Sequence, residues 1–261
     1  MVPFARAWMR GPGGWGWVSF PGTTNAGRSE PHTMPRQTLI IDADDTLWEN
    51  NIYFERAVED FLDFLNHSTL SRADVRAVLD EIELANLKTH GYGAAGFTRN
   101  LRECYERLAE REIDTDDLAT VMAFGESILS QPIQLIPGVV ETLDYLRQRH
   151  HLVLMTKGHP EEQRLKIDRS GLEGHFQHVA IVPEKDPAAY THLTAELEAV
   201  PHRTWMVGNS PRSDINAPLA AGLNAVFVPH QSTWSLEIQE IATGPGQLLV
   251  LERFIQLRHH F

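Results

Sequence analysis

Thr38-Leu39-Ile40-Ile41-Asp42-Ala43-Asp44-Asp45-Thr46 is the stretch on which the fold turns. Thr38–Ile41 is an unbroken apolar run of the kind a strand shows when it is buried on both faces. The acids that follow stand at its carboxyl end. The two-residue repeat of a strand sends Asp42 and Asp44 in similar directions before the chain turns. Carboxylates crowded in this way need a cation or a shared proton. An Asp-rich turn that does no more than cap the next helix is the competing reading of these residues alone.

Downstream, residues 51–132 carry only helical periods. Phe54, Val58, Phe61, Leu62 and Leu65 make one apolar stripe, and Val75, Val78, Leu79 and Ile82 make a second behind a Ser71 cap. A third runs through Leu101, Cys104, Tyr105 and Leu108, and a fourth through Leu118, Val121, Met122 and Ile128. Together they predict an inserted four-helix bundle. Pro137-Gly138 then opens a helix through Val140, Leu143 and Leu146. Residues 151–155, 178–183, 203–208 and 224–229 read as strands separated by helical segments. This alternation predicts an α/β core with a parallel sheet covered on both faces and ligands at the carboxyl ends of its strands.

Composition excludes several classes. The 261 residues hold 23 basic and 35 acidic side chains, a formal charge of −12, so a polyanion such as nucleic acid would meet net repulsion. A single cysteine, Cys104, allows no internal disulfide and no thiolate metal cluster. No run approaches the roughly 20 apolar residues of a membrane span. These features predict a soluble, cytoplasmic protein with no membrane or nucleic-acid partner. Residues 1–36, rich in Gly, Pro, Trp and Arg, are expected to be a disordered extension. The histidines show no metal-ligand spacing, and His150-His151 and His259-His260 are expected at the surface.

Other strand ends also carry polar groups. One strand ends in Thr156-Lys157 and another in Gly208-Asn209-Ser210. Ser210-Pro211 fits an N-cap followed by proline at the first helical position, and Asp214 falls in the first turn, where a carboxylate suits the helix dipole whatever else it does. Lys185, in Glu184-Lys185-Asp186-Pro187, is by itself no more than a surface lysine.

Taken in order, these groups resemble the haloacid dehalogenase (HAD) superfamily. Its first motif, a hydrophobic strand and Asp-x-Asp-x-Thr, is matched by residues 39–46, and its second, a strand ending in Thr or Ser, by 152–156. The third looks like Val182-Pro183-Glu184-Lys185-Asp186-Pro187. The fourth, usually Gly-Asp-x4-Asp, is similar to Gly208-Asn209-Ser210-Pro211-Arg212-Ser213-Asp214, with Asn209 where relatives commonly have Asp. The resemblance implies a Rossmann-like doubly wound parallel sheet in residues 37–50 and 133–261 and a C1-type helical cap in 51–132.

It further implies a magnesium-dependent phosphohydrolase acting on a small phosphorylated metabolite, as a monomer or homodimer. Asp42 would be the nucleophile and Asp44 the general acid and base. Thr156 and Lys185 would bind the phosphoryl oxygens. Asp42, Asp214 and the Asp44 carbonyl would ligate magnesium, with Asn209 in support. Lys157, where relatives often carry Asn, either adds charge to the pocket for a more anionic substrate or points to solvent. Trp48, Glu49 and Asn50, and the 88–93 loop of the cap, are candidates for the entrance. A phosphomutase, a 2-haloacid dehalogenase, for which Asp44 is not needed, and a phosphate-binding module with weak catalysis are the alternatives.

Overall fold

The computed structural model describes residues 6–11, 14–19 and 36–261. The chain divides into two compact units, Met1–Pro35 and Arg36–Phe261. In the first, strands β1 (Arg6–Gly11) and β2 (Gly14–Ser19) pair antiparallel with Trp8 opposite Trp17. Side-chain alternation gives no warning of this pairing, since an antiparallel ladder is held by backbone groups. The rest of the disorder expected for residues 1–36 falls outside the described residues.

The second unit is built on strand β3 (Thr38–Ile41), whose Leu39, Ile40 and Ile41 are fully buried. Four helices follow: α1 (Asn51–Leu65), α2 (Arg72–His90), α3 (Ala94–Leu108) and α4 (Thr115–Glu126). Ser71 opens α2 with a reciprocal capping box to Asp74, and Asp114 caps α4. Their stripes meet in one core that includes Phe61, Leu79, Leu101, Cys104 and Val121. Burial pushes the Cys104 thiol up to about 12, so it is an inert core group.

The chain then returns through α5 (Val139–Leu146), β4 (His151–Lys157), α6 (Pro160–Ser170), β5 (His178–Val182), α7 (Pro187–Glu196) and β6 (Thr204–Gly208). A six-residue π-helical turn, Pro211–Asn216, runs into α8 (Ala217–Ala220), followed by β7 (Asn224–Phe227) and β8 (Leu248–Val250). The six strands form one parallel sheet in the order β5-β4-β3-β6-β7-β8.

Alternation along the central strands divides the core between the two faces of this sheet. Leu39, Ile41, Leu152, Leu154 and Val207 pack with Leu143, Leu146, Phe254 and Leu257 on one face. Ile40, Val153, Met155 and Met206 pack with Tyr190, Leu193 and Leu223 on the other. Both faces being covered explains the continuous apolar runs. The architecture is therefore a Rossmann-like parallel sheet with an inserted helical cap. The order of the strands reverses about β3, and the carboxyl ends of β4, β3 and β6 meet there, the position at which open α/β sheets bind ligands.

His150 departs from the surface position expected of it. It is 4% exposed, accepts the Gln37 backbone N–H through Nδ1 and meets Phe261 edge to face. Among the described residues no helix is long and apolar enough to cross a membrane.

Candidate active site

Asp42 extends β3 by one residue, its N–H donating to the Val207 carbonyl at 2.9 Å, so the side chain leaves the sheet at its carboxyl edge. Beyond it the backbone reverses through Asp45, whose φ of 60° is a left-handed conformation that Asp tolerates. The Asp45 carboxylate accepts the N–H groups of Asn50 and Asn51 at 2.9 and 3.1 Å and so closes the start of α1. This capping is the modest role an Asp-rich turn can play, and it falls to Asp45. Asp42 and Asp44 face the cavity between sheet and cap.

Asp42, Asp44, Thr156, Lys157, Lys185, Asn209 and Asp214 all line that one cavity. Lys185 Nζ donates to Asp42 Oδ1 and, at 2.8 Å, to Asp214 Oδ1, with all three side chains buried. Asp214 reaches this position because β6 ends in glycine. A methyl group on Gly208 would stand 2.3 Å from Asp214 Oδ2 and 2.7 Å from its Cβ. Ser210 caps the π-helical turn, its hydroxyl accepting the Ser213 N–H, and its own N–H holds Asp214 Oδ2 at 3.0 Å. The local sequence thus fixes the carboxylate twice over.

Burial and the Asp214 charge outweigh the pull of Lys185 and push the Asp42 carboxyl up to about 7. Burial opposes the charge on Lys185, but its two carboxylate partners hold its ammonium above the ordinary lysine range. Asp44 lies in a different balance. Burial would raise it, yet Lys166 on Oδ2, Gln163 and the Trp48 indole N–H at 2.8 Å bring it below the usual carboxylate value. Trp48 is fully buried under the site, whereas Glu49 and Asn50 line the cavity.

Thr156, 1% exposed, approaches Gln163 Oε1 at 3.2 Å. Asn209 is engaged at both ends of its amide: Oδ1 lies 3.2 Å from the Thr46 hydroxyl and Nδ2 donates to Thr233 at 2.9 Å. Lys157 follows neither course expected of it. Its ammonium is bound by Glu184, Glu237 and Ser213 and lies 4.4 Å from the Tyr92 ring centroid, so its charge is compensated within the protein.

Asp42 and Asp214 are hard oxygen donors, and one lysine against two buried carboxylates leaves negative charge uncompensated. That donor chemistry fits a divalent cation such as magnesium. A second group, Asp45, Glu49 and His230, brings its ligand atoms within 4.8 Å of one another beside the same cavity. His230 comes from a loop far along the chain, so no spacing in the sequence reveals it.

The cap is fastened to the core across the cavity mouth. Tyr92 donates its hydroxyl to Glu184 at 2.5 Å and meets Trp234 edge to face. Glu162 on α6 accepts the Ala94 and Ala95 N–H groups at 2.9 and 3.2 Å, capping α3 from the other domain. Of the 88–93 segment, Lys88-Thr89-His90 end α2, and Gly91-Tyr92-Gly93 form the link. Gln163, Lys166, Glu162 and Glu237 escape sequence reading because each is an isolated polar residue on a helix or loop.

These features have counterparts in known proteins. The family of haloacid dehalogenase-like hydrolases matches residues 37–222. A haloacid dehalogenase-like hydrolase from Xanthomonas campestris is 30% identical and superposes with a TM-score of 0.75 over 92% of this chain and 95% of that one. A magnesium-bound HAD hydrolase from Bacillus subtilis shares the fold at 16% identity, with a TM-score of 0.60 over 87% of this chain and 98% of that one. The N-acylneuraminate-9-phosphatase of Rattus norvegicus is 24% identical over 199 residues, 72% of this chain and 80% of that protein. The phosphoserine phosphatase of Thermus thermophilus is 33% identical over 82 residues, 30% of this chain, and the match spans only 33% of that protein's length. With its residues 37–222 matched and its capped parallel sheet shared, the chain belongs to the haloacid dehalogenase-like hydrolases.

Proposed function

We propose that the protein hydrolyses a small phosphomonoester through an acyl-phosphate on Asp42. The observation that carries this reading is the buried Asp42–Lys185–Asp214 array at the sheet's switch point, with a second carboxylate, Asp44, two residues from the first and on the same cavity. The phosphatase names of two relatives agree with it.

Asp42 attacks phosphorus in line with the ester oxygen, whose bond to phosphorus breaks. Lys185 and the Thr156 hydroxyl bind the oxygens of the phosphoryl group in flight, where fixed charge and fixed donors are most effective. The proton for the departing oxygen comes from the Lys166 ammonium and is relayed by Asp44, its ion-pair partner, and the proton later taken from water restores the pair. Once the alcohol has left, the Asp44 carboxylate takes a proton from the water that attacks phosphorus and releases Asp42. A divalent cation held by Asp42 and Asp214 would offset the negative charge of the phosphoryl group. Closure by Tyr92 and Glu162 keeps bulk water from the mixed anhydride until the alcohol has gone.

Phosphate release from a panel of phosphomonoesters, with magnesium and with chelator, tests the reading. Magnesium-dependent release is expected. Chloride release from a 2-haloacid in place of phosphate release would overturn it.

A further inference from the structure

The cap end of the cavity holds a carboxylate that the reaction does not use. Glu83, on α2, lines the cavity and is 7% exposed. Its Oε2 is buried and has no hydrogen-bond partner among the described residues. Buried carboxylates are ordinarily paired, because an uncompensated charge in a low-dielectric site is costly.

The neighbouring cation does not meet the need. Arg76 directs its guanidinium to Glu55, at 2.9 and 3.3 Å, and to Asp80, at 2.8 Å. Counting Glu55 and Glu83 against Arg76, this wall of the cavity carries excess negative charge. Burial accordingly pushes the Glu83 carboxyl up to about 7, despite Arg76 and the adjacent Trp234. The rest of the wall includes Phe54, Val58 and Phe97, which offer no charge.

With the phosphoryl group at Asp42 and Lys185, the leaving group must occupy the remainder of a cavity of about 190 Å³ that is shared by Asp42 and Glu83. We propose that Glu83 is the receptor for an ammonium group on the leaving alcohol, and that the preferred substrates are small phosphomonoesters of amino alcohols. A hydroxyl would satisfy the orphaned oxygen but leave the charge uncompensated, whereas an ammonium does both. This assignment rests on the phosphomonoesterase reading.

Isothermal titration of the magnesium-loaded protein at pH 8 with 2-aminoethylphosphonate and with propylphosphonate, which differ by ammonium against methyl, requires no turnover. The parent is expected to bind the amine about tenfold or more tightly than its isostere. In Glu83→Gln the ratio falls to near one, and in Glu83→Asp, which keeps the charge on a shorter side chain, part of it returns. Equal affinities in the parent, binding of neither phosphonate, or an undiminished ratio in Glu83→Gln would overturn the assignment. Hydrolysis of an aryl phosphate is measured in parallel. Its absence would count against the phosphomonoesterase reading, while the phosphonate pair still reports on Glu83.

Discussion

Lys185 Nζ stands 2.8 Å from Asp214 Oδ1 while donating to Asp42 as well, so one buried ammonium serves two buried carboxylates, one from the end of β3 and one from the helical turn that follows β6. The array joins stability to chemistry. The lysine that would bind the phosphoryl oxygens also makes the burial of both acids tolerable.

Replacing Lys185 with methionine, which keeps the length but not the charge, removes the group that ion-pairs with both carboxylates. The expected cost is about 3–5 kcal/mol of folding stability without magnesium, together with a fall in turnover of roughly 10²- to 10³-fold. Urea denaturation in chelator measures the first, and phosphate release the second. An unchanged denaturation midpoint would contradict the account of the array.

Gly208→Ala introduces a Cβ 2.3 Å from Asp214 Oδ2 and 2.7 Å from its Cβ. The whole carboxylate must shift, and with it the oxygen donors offered to a cation. A magnesium titration of phosphate release is expected to move to at least about tenfold higher concentration. A superimposable titration would remove Asp214 from the metal site.

Gly93→Ala tests closure of the cap. The position has φ of 107°, which disfavours any side chain, and its Cβ would meet Glu162 Oε2 at 2.3 Å. Glu162 is then driven from the N-terminus of α3. A fall in kcat/KM of about tenfold is expected, together with a modest drop in melting temperature from the strained backbone and the lost cap. Parental kinetics would show that the fastening has no role in turnover.

Glu83 gives a pH signature. Its carboxyl rises from the ordinary 4.5 to about 7 in the folded protein. Between these values the native state holds a proton that the unfolded chain has lost, so stability falls as pH rises through that window, by on the order of 3 kcal/mol. Glutamine at this position has no such penalty. The melting temperature of Glu83→Gln relative to the parent is expected to climb between about pH 4.5 and 7 and then level off. A constant difference across that range would exclude an uncompensated charge at Glu83.

The sequence makes the sheet and much of the cavity legible because each relevant residue is tied to a strand end. The apolar runs leading to Asp42, Thr156 and Gly208 are buried on both faces, and such runs are visible without a structure. Asp214 is reached by counting from Gly208. Lys166, Gln163 and Glu162 are different, since they lie on the mostly polar helix α6, where nothing distinguishes a residue facing the cavity from one facing solvent. His230, Trp234 and Glu237 join the site from a loop, and β8 has only three residues, two of them exposed. The role of Lys157 depends on Glu184, Glu237 and Tyr92, which are distant in the chain. These are tertiary relationships, and no local period encodes them.

The central claim is that Asp42 carries the phosphoryl group. The parent and Asp42→Asn, whose side chains differ little in volume, are each mixed with an aryl phosphate and magnesium, quenched in acid within a turnover and examined by intact-mass and peptide mass spectrometry. The account predicts one added phosphoryl group on Asp42 in the parent, and neither the adduct nor phosphate release in the variant. Phosphate release by Asp42→Asn at the parental rate, or a phosphoryl group trapped on another residue, would contradict it.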